Sequence, residues 1–91
     1  MMPWKLKVLV FNKMREYAGH KIEVTVSSKD TIATIKEKIL EKTEIPIANQ
    51  HIIFGVEALK DHETLKSRNI KDGYTIYLTP TYLELSELPN L

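Results

Sequence analysis

Three histidines, twelve acidic residues and thirteen lysines and arginines are the groups of this 91-residue chain that could move protons or hold metal, and there is no cysteine. Catalysis needs a nucleophile, a base and a charge-stabilising group within reach of one another. His20, His51 and His62 fall in different predicted turns or strands, and no two share the spacing that puts metal ligands on one helix face. No glycine-rich phosphate loop and no strained serine turn is present. The acidic residues alternate with lysines, as in Lys36, Glu37 and Lys38 or Glu41, Lys42 and Glu44, which is the pattern of a solvated helix face. The expectation is a protein that is not an enzyme, with no catalytic residues, no metal and no cofactor.

The same charge mixing argues against nucleic acid, which asks for clustered basic residues interleaved with aromatics. The formal net charge is +1, with every lysine and arginine before Thr79 and only Glu84 and Glu87 after it. The opening Met1-Met2-Pro3-Trp4-Lys5 lacks an apolar leader core, and no run approaches the roughly 18 apolar residues that span a bilayer. No membrane partner is expected, and the location expected is cytoplasmic and/or nuclear. The chain suits one small domain, expected to be a monomer, whose core must hold by packing because disulfides and cysteine-based zinc sites are impossible.

The elements that must position any functional residue follow from periodicity. Lys5 to Phe11 reads as a strand with Leu6, Val8 and Val10 on one face and Lys5, Lys7, Leu9 and Phe11 on the other. Lys21 to Val26 alternates, with Ile22, Val24 and Val26 inward, and pairs antiparallel with the first strand across Asn12 to His20. Thr31 is placed to cap a helix whose apolar stripe is Ile32, Ile35 and Ile39, with Leu40 at its edge. Ile45-Pro46 ends the helical run, since proline disfavours helical geometry in the residue before it. Gln50 to Phe54 is a strand, followed by Gly55 at a tight turn, further turns near Asp61–Leu65 and Asn69–Gly73, and a last strand from Tyr74 to Thr79. A helix between two strand groups requires a crossover, so the first and last strands lie side by side and parallel.

These residues resemble ubiquitin. From Ile22 to Leu78, more than half of the chain, the two align without a gap through Asp30-Thr31-Ile32, Lys36, Lys38-Ile39, Ile45-Pro46, Gln50, Ile53-Phe54, Leu59, Asp61, Thr64-Leu65 and Asn69-Ile70. The resemblance implies an α+β fold of the ubiquitin-like β-grasp type: a mixed sheet of four to five strands with one main helix packed across it. The expected domain covers residues 4–79, with 80–91 as tail or linker. The first hairpin loop is about four residues longer than ubiquitin's, and Lys7 to Phe11 with Arg15-Glu16 and Ala18-Gly19 is similar to the small sulfur-carrier proteins of the same fold.

Ubiquitin and those carriers act through a terminal Gly-Gly, which threads a narrow channel because it has no side chains. The only glycines here are Gly19, Gly55 and Gly73, all in predicted turns, so conjugation and sulfur carriage are not expected. Residues 80–91 instead hold Tyr82, Leu83, Leu85 and Leu88 among acidic residues. That segment is open to three uses: docking on its own domain, binding a partner, or linking to further domains.

Ubiquitin is read through an apolar sheet patch centred on an isoleucine that corresponds to Ile53. Alternation agrees, because with Ile52 and Phe54 inward Ile53 must face out, together with His51. On the last strand Ile76 and Leu78 face the core, leaving Tyr77 and Thr79 outward. The expected binding set is Phe11, Met14, His51, Ile53, Tyr77 and Thr79, with Phe11 and Tyr77 as cross-strand neighbours. The alternative arrangement has Phe11 and Tyr77 covering each other, or the tail lying over them. Thr79, Tyr77 and His51 stand where ubiquitin has a valine, a histidine and an arginine, so receptors requiring ubiquitin's own patch should bind poorly. Two chain-linking lysines correspond to Glu57 and Asp72, and Lys36 matches a lysine that is more structural than reactive.

The resemblance thus implies a non-conjugated protein-binding module, an adaptor to ubiquitin-pathway machinery such as ubiquitin receptors, the proteasome or ligase components. The other reading is a scaffold domain for a dedicated non-ubiquitin partner; a modifier or sulfur carrier comes last.

Overall fold

A computed structural model describes residues 3–10 and 21–80. In chain order the elements are β1 (Trp4–Val10), β2 (Lys21–Val26), α1 (Ile32–Thr43), a short 3-10 turn (Ile47–Asn49), β3 (Gln50–Phe54), β4 (Glu57–Ala58) and β5 (Thr75–Pro80). They form one five-stranded sheet in the order β2-β1-β5-β3-β4. β1 runs antiparallel to β2 and parallel to β5, and β3 is antiparallel to both β5 and β4. The mixed sheet and single main helix are those expected of a β-grasp.

Every inward position read from alternation on β1 is fully buried: Leu6, Val8 and Val10 join Val24, Val26, Ile52, Ile76 and Leu78 from the sheet. The helix adds Ile32, Ile35 and Ile39, and the loops add Ile45, Leu59, Leu65 and Ile70. Ile22 and Phe54, also expected inward, are partly buried against this cluster. The buried apolar cluster is therefore built from isoleucine, valine and leucine, which is how a small domain reaches adequate burial.

The start of α1 is satisfied at each free donor. Thr31 has extended geometry and its hydroxyl accepts from the Thr34 N–H at 3.2 Å, as expected of a cap. The Ile32 and Ala33 N–H groups donate to the carbonyls of Glu63 (2.8 Å) and Asp61 (3.1 Å), so the distant 61–63 turn completes the helix end. Thr31→Ala is expected to lower stability by about 1 kcal/mol, seen as a lower urea midpoint at unchanged slope.

At the other end the helix stops at Thr43, before Ile45-Pro46, because Glu44 takes the left-handed conformation (φ 65°) and its N–H donates to the Leu40 carbonyl at 2.7 Å. Two buried polar side chains then fix the exit. The Thr43 hydroxyl donates to the Ile39 carbonyl at 2.8 Å and accepts from the Ile45 N–H at 3.1 Å. Gln50 Nε2 donates to the carbonyls of Lys36 and Ile45, each at 3.0 Å, tying the first residue of β3 to α1 and the loop after it.

The parallel register between β1 and β5 is set by the turn before β5. Asp72 Oδ1 accepts from the Lys5 N–H (2.8 Å), Gly73 N–H donates to the Lys5 carbonyl (2.9 Å), and Lys7 N–H donates to the Tyr74 carbonyl (3.0 Å). Gly73 makes this turn with φ of 84°. The ladder therefore starts with Thr75 opposite Lys7 and continues Val8 with Ile76, Leu9 with Tyr77 and Val10 with Leu78.

Candidate binding face

That register decides which residues meet on the face opposite α1. With Leu6, Val8 and Val10 buried, Lys5, Lys7 and Leu9 project outward from β1. On β5 the outward set is Thr75, Tyr77 and Thr79, and on β3 it is His51 and Ile53. The ladders place Leu9 beside Tyr77, Tyr77 beside Ile53, and Ile53 beside Ala58. One row of cross-strand neighbours thus runs Leu9, Tyr77, Ile53, Ala58 over four strands, with Lys21 of β2 continuing it past Leu9. Leu9, Tyr77 and Ile53 are half-buried, and Ala58 and His51 are exposed.

Four of the six residues expected to bind are brought together here. Ile53 and Tyr77 are central, and His51 and Thr79 form the adjacent cross-strand pair. Phe11 and Met14 lie outside the described residues. The register sets Leu9 opposite Tyr77, because the Lys5 and Lys7 clamps fix where β5 enters the sheet, and the expected contact of Phe11 with Tyr77 falls on a residue outside those described. Leu9 was therefore missed as a site residue although its outward position was legible. Alternation gives the face, while the turn sets the pairing. Ala58 and Val56 were missed too, since a two-residue strand carries almost no periodicity.

The edge of the row is held by a tight turn. Gly55 adopts φ of 67°, and Val56 follows at 98% exposure, the most exposed large apolar side chain described. The Arg68 guanidinium reaches Glu57 and, at 3.6 Å, Glu63, pinning β4 against the 63–68 segment. Phe54 stacks on Tyr74, ring centres 5.9 Å apart, on the sheet's inner side near the same turn.

Charge on the outer face is lopsided. Lys5, Lys7 and Lys21 lie toward β2 with Glu23 as the one carboxylate among the described outward strand residues there, opposite Lys7. Lys36, by contrast, is committed internally to Asp61 at 2.7 Å, and Lys38 donates to the Thr25 carbonyl at 2.6 Å. A separate groove of about 500 Å³, lined by Trp4, Ser28, Lys66, Asn69, Ile70 and Lys71, lies away from the row near the start of β1. Among the described residues no cluster of three or more histidines and carboxylates could hold a metal, and no helix is long and apolar enough to cross a membrane.

The chain is similar to known proteins in sequence and in fold. The sequence model of the ubiquitin family matches residues 10–80. The chain is 40% identical over 58 residues to the ubiquitin domain-containing protein DSK2 of Saccharomyces cerevisiae, covering 64% of this chain and 16% of that protein. It is 41% identical over 65 residues to ubiquilin of Dictyostelium discoideum, covering 71% of this chain and 12% of that protein. It is 32% identical over 66 residues to the ubiquitin-like protein NEDD8 of Dictyostelium discoideum, covering 72% of this chain and 86% of that one. The chain thus spans about a sixth and an eighth of the first two relatives and most of the third. The crystal structure of the UBL domain of Plasmodium falciparum Dsk2 superimposes with a TM-score of 0.76 at 28% identity, covering 88% of this chain and all of that one.

Proposed function

Because the chain belongs to the ubiquitin family, we propose that it is a non-conjugated protein-binding module that brings a partner to ubiquitin-pathway machinery such as the proteasome or a ligase. The observation that carries this reading is the row Leu9, Tyr77, Ile53 and Ala58, an apolar strip four strands wide on the face that α1 leaves open. A rigid sheet presents such a strip in fixed geometry, so a partner loses little entropy in ordering it. Aromatic and branched apolar side chains at the centre of a face are the usual energetic anchors of an interface.

Two further features support the reading. The similarity to DSK2 and ubiquilin covers a small part of those long proteins, as a domain within a larger protein would. Three glycines occur in the sequence and no two are adjacent, so these residues offer holding by the face rather than joining through a Gly-Gly carboxylate. The module works by binding and performs no chemistry of its own.

The test is a titration of isotope-labelled chain with the ubiquitin-binding segment of a proteasomal receptor, followed by amide shifts. The expected shifts centre on Leu9, His51, Ile53 and Tyr77, with α1 unaffected. Saturating receptor without shifts along that row would remove the proposal.

A further inference from the structure

We infer that the segment 81–91 of this chain docks across the row Leu9, Tyr77, Ile53, and that it competes there with the partner. The docking stands on the geometry below, while the competition rests on the proposed function. Sheet order supplies the first argument. β5 is the central strand, with β1 and β3 on either side, so the chain leaves the sheet from its middle. β5 ends at Pro80, opposite Gln50, where proline has no N–H to extend the ladder.

The row lies only three residues back along β5, at Tyr77, which is about 10 Å. Leu9 and Ile53 flank Tyr77 on the neighbouring strands, so the strip to be covered is also about 10 Å wide. Residues 81–91 extend to about 35 Å, so a segment folding back from Pro80 reaches every residue of the row.

Composition supplies the second argument. The segment carries Tyr82, Leu83, Leu85 and Leu88 with Glu84 and Glu87, and has no lysine or arginine. The face offers apolar Leu9, Tyr77 and Ile53 beside Lys5, Lys7 and Lys21, with Glu23 the single opposing charge among the described outward residues of β1 and β2. Apolar side chains meet an apolar strip and carboxylates meet the lysine side. Because the segment is tethered, it needs little intrinsic affinity to occupy the row: a short linker gives an effective concentration of order millimolar.

The absence of cysteine provides a clean test in the full chain. Ser86→Cys creates a single thiol for a nitroxide label. Docking predicts loss of amide signal at Leu9 and Ile53, with Glu37 and Glu41 on the far side of α1 retained. Adding Leu85→Ser and Leu88→Ser should restore the Leu9 and Ile53 signals. In the unlabelled double-serine chain, receptor binding should tighten about fivefold, the factor expected if the row is free a fifth of the time in the parent. Equal broadening on both faces, or none, overturns the proposal. Loss that appears only when spin-labelled chain is mixed with isotope-labelled chain also overturns it, by making a second copy the occupant. Loss at Leu9 and Ile53 with no receptor binding by either chain leaves the docking standing and removes the proposed function.

Discussion

Ile53→Asp is expected to weaken receptor binding by about 30-fold or more while leaving the fold intact. Ile53 is half-buried on the outer face, with Tyr77 on one side and Ala58 on the other. In a complex it sits at the middle of the row, where truncation or charge typically costs about 2 kcal/mol or more. Aspartate adds the desolvation of a carboxylate pressed against an apolar partner. In the free chain Ile53 is outside the buried core, and a poor strand former there costs about 1 kcal/mol at most. Calorimetric titration beside a melting curve separates the two effects. Lys42→Ala, on the exposed side of the last turn of α1, is the control and should bind like the parent. Parent-like affinity for Ile53→Asp would show that the partner is held elsewhere.

The largest loss of stability is expected from Ile35→Ala. Ile35 has 0% exposure in the middle of the helix stripe and belongs to the single buried cluster described. Removing its outer carbons leaves a cavity between α1 and the sheet that close-packed neighbours fill only in part, at a cost of about 2–5 kcal/mol. For a domain of this size that lowers the melting temperature by about 10 °C or more. Chemical denaturation should show a lower midpoint with an unchanged slope. A change under about 1 kcal/mol would mean that α1 moves onto the sheet to close the gap, contrary to a tightly packed core.

Much of this molecule was legible in the sequence because burial imposes periodicity. The alternation of Leu6, Val8 and Val10 and the helical spacing of Ile32, Ile35 and Ile39 identify the core-facing residues with no other information. Thr31 announces a cap because a hydroxyl before an apolar stripe has a free N–H within reach. Gly55 likewise stands where the chain needs positive φ. The outward positions of Ile53, His51, Tyr77 and Thr79 follow from the same alternation, since a residue between two core positions on a strand has nowhere else to point.

Neighbourhood across strands is another matter, because alternation assigns a face and leaves the register open. A shift of two residues keeps every side chain on its face and exchanges every partner. Alternation alone leaves open which outward residue of β1 stands opposite Tyr77, and the Asp72, Gly73 and Tyr74 contacts with Lys5 and Lys7 put Leu9 there. The helix end shows the same division. Pro46 marks a limit that the helix cannot pass, while Glu44 in the left-handed conformation and the Gln50 and Thr43 hydrogen bonds mark where it does stop.

What the sequence determined by itself, then, is the α+β order of elements, the core, and an outward face bearing Ile53 and Tyr77. Only the tertiary structure decided that these residues fall into one line with Leu9 and Ala58, with Lys21 beyond Leu9 and the chain emerging from the strand at its centre. The physical reason is that faces are fixed by local period, whereas rows are fixed by hydrogen bonds between residues nearly seventy positions apart, such as Lys5 and Asp72.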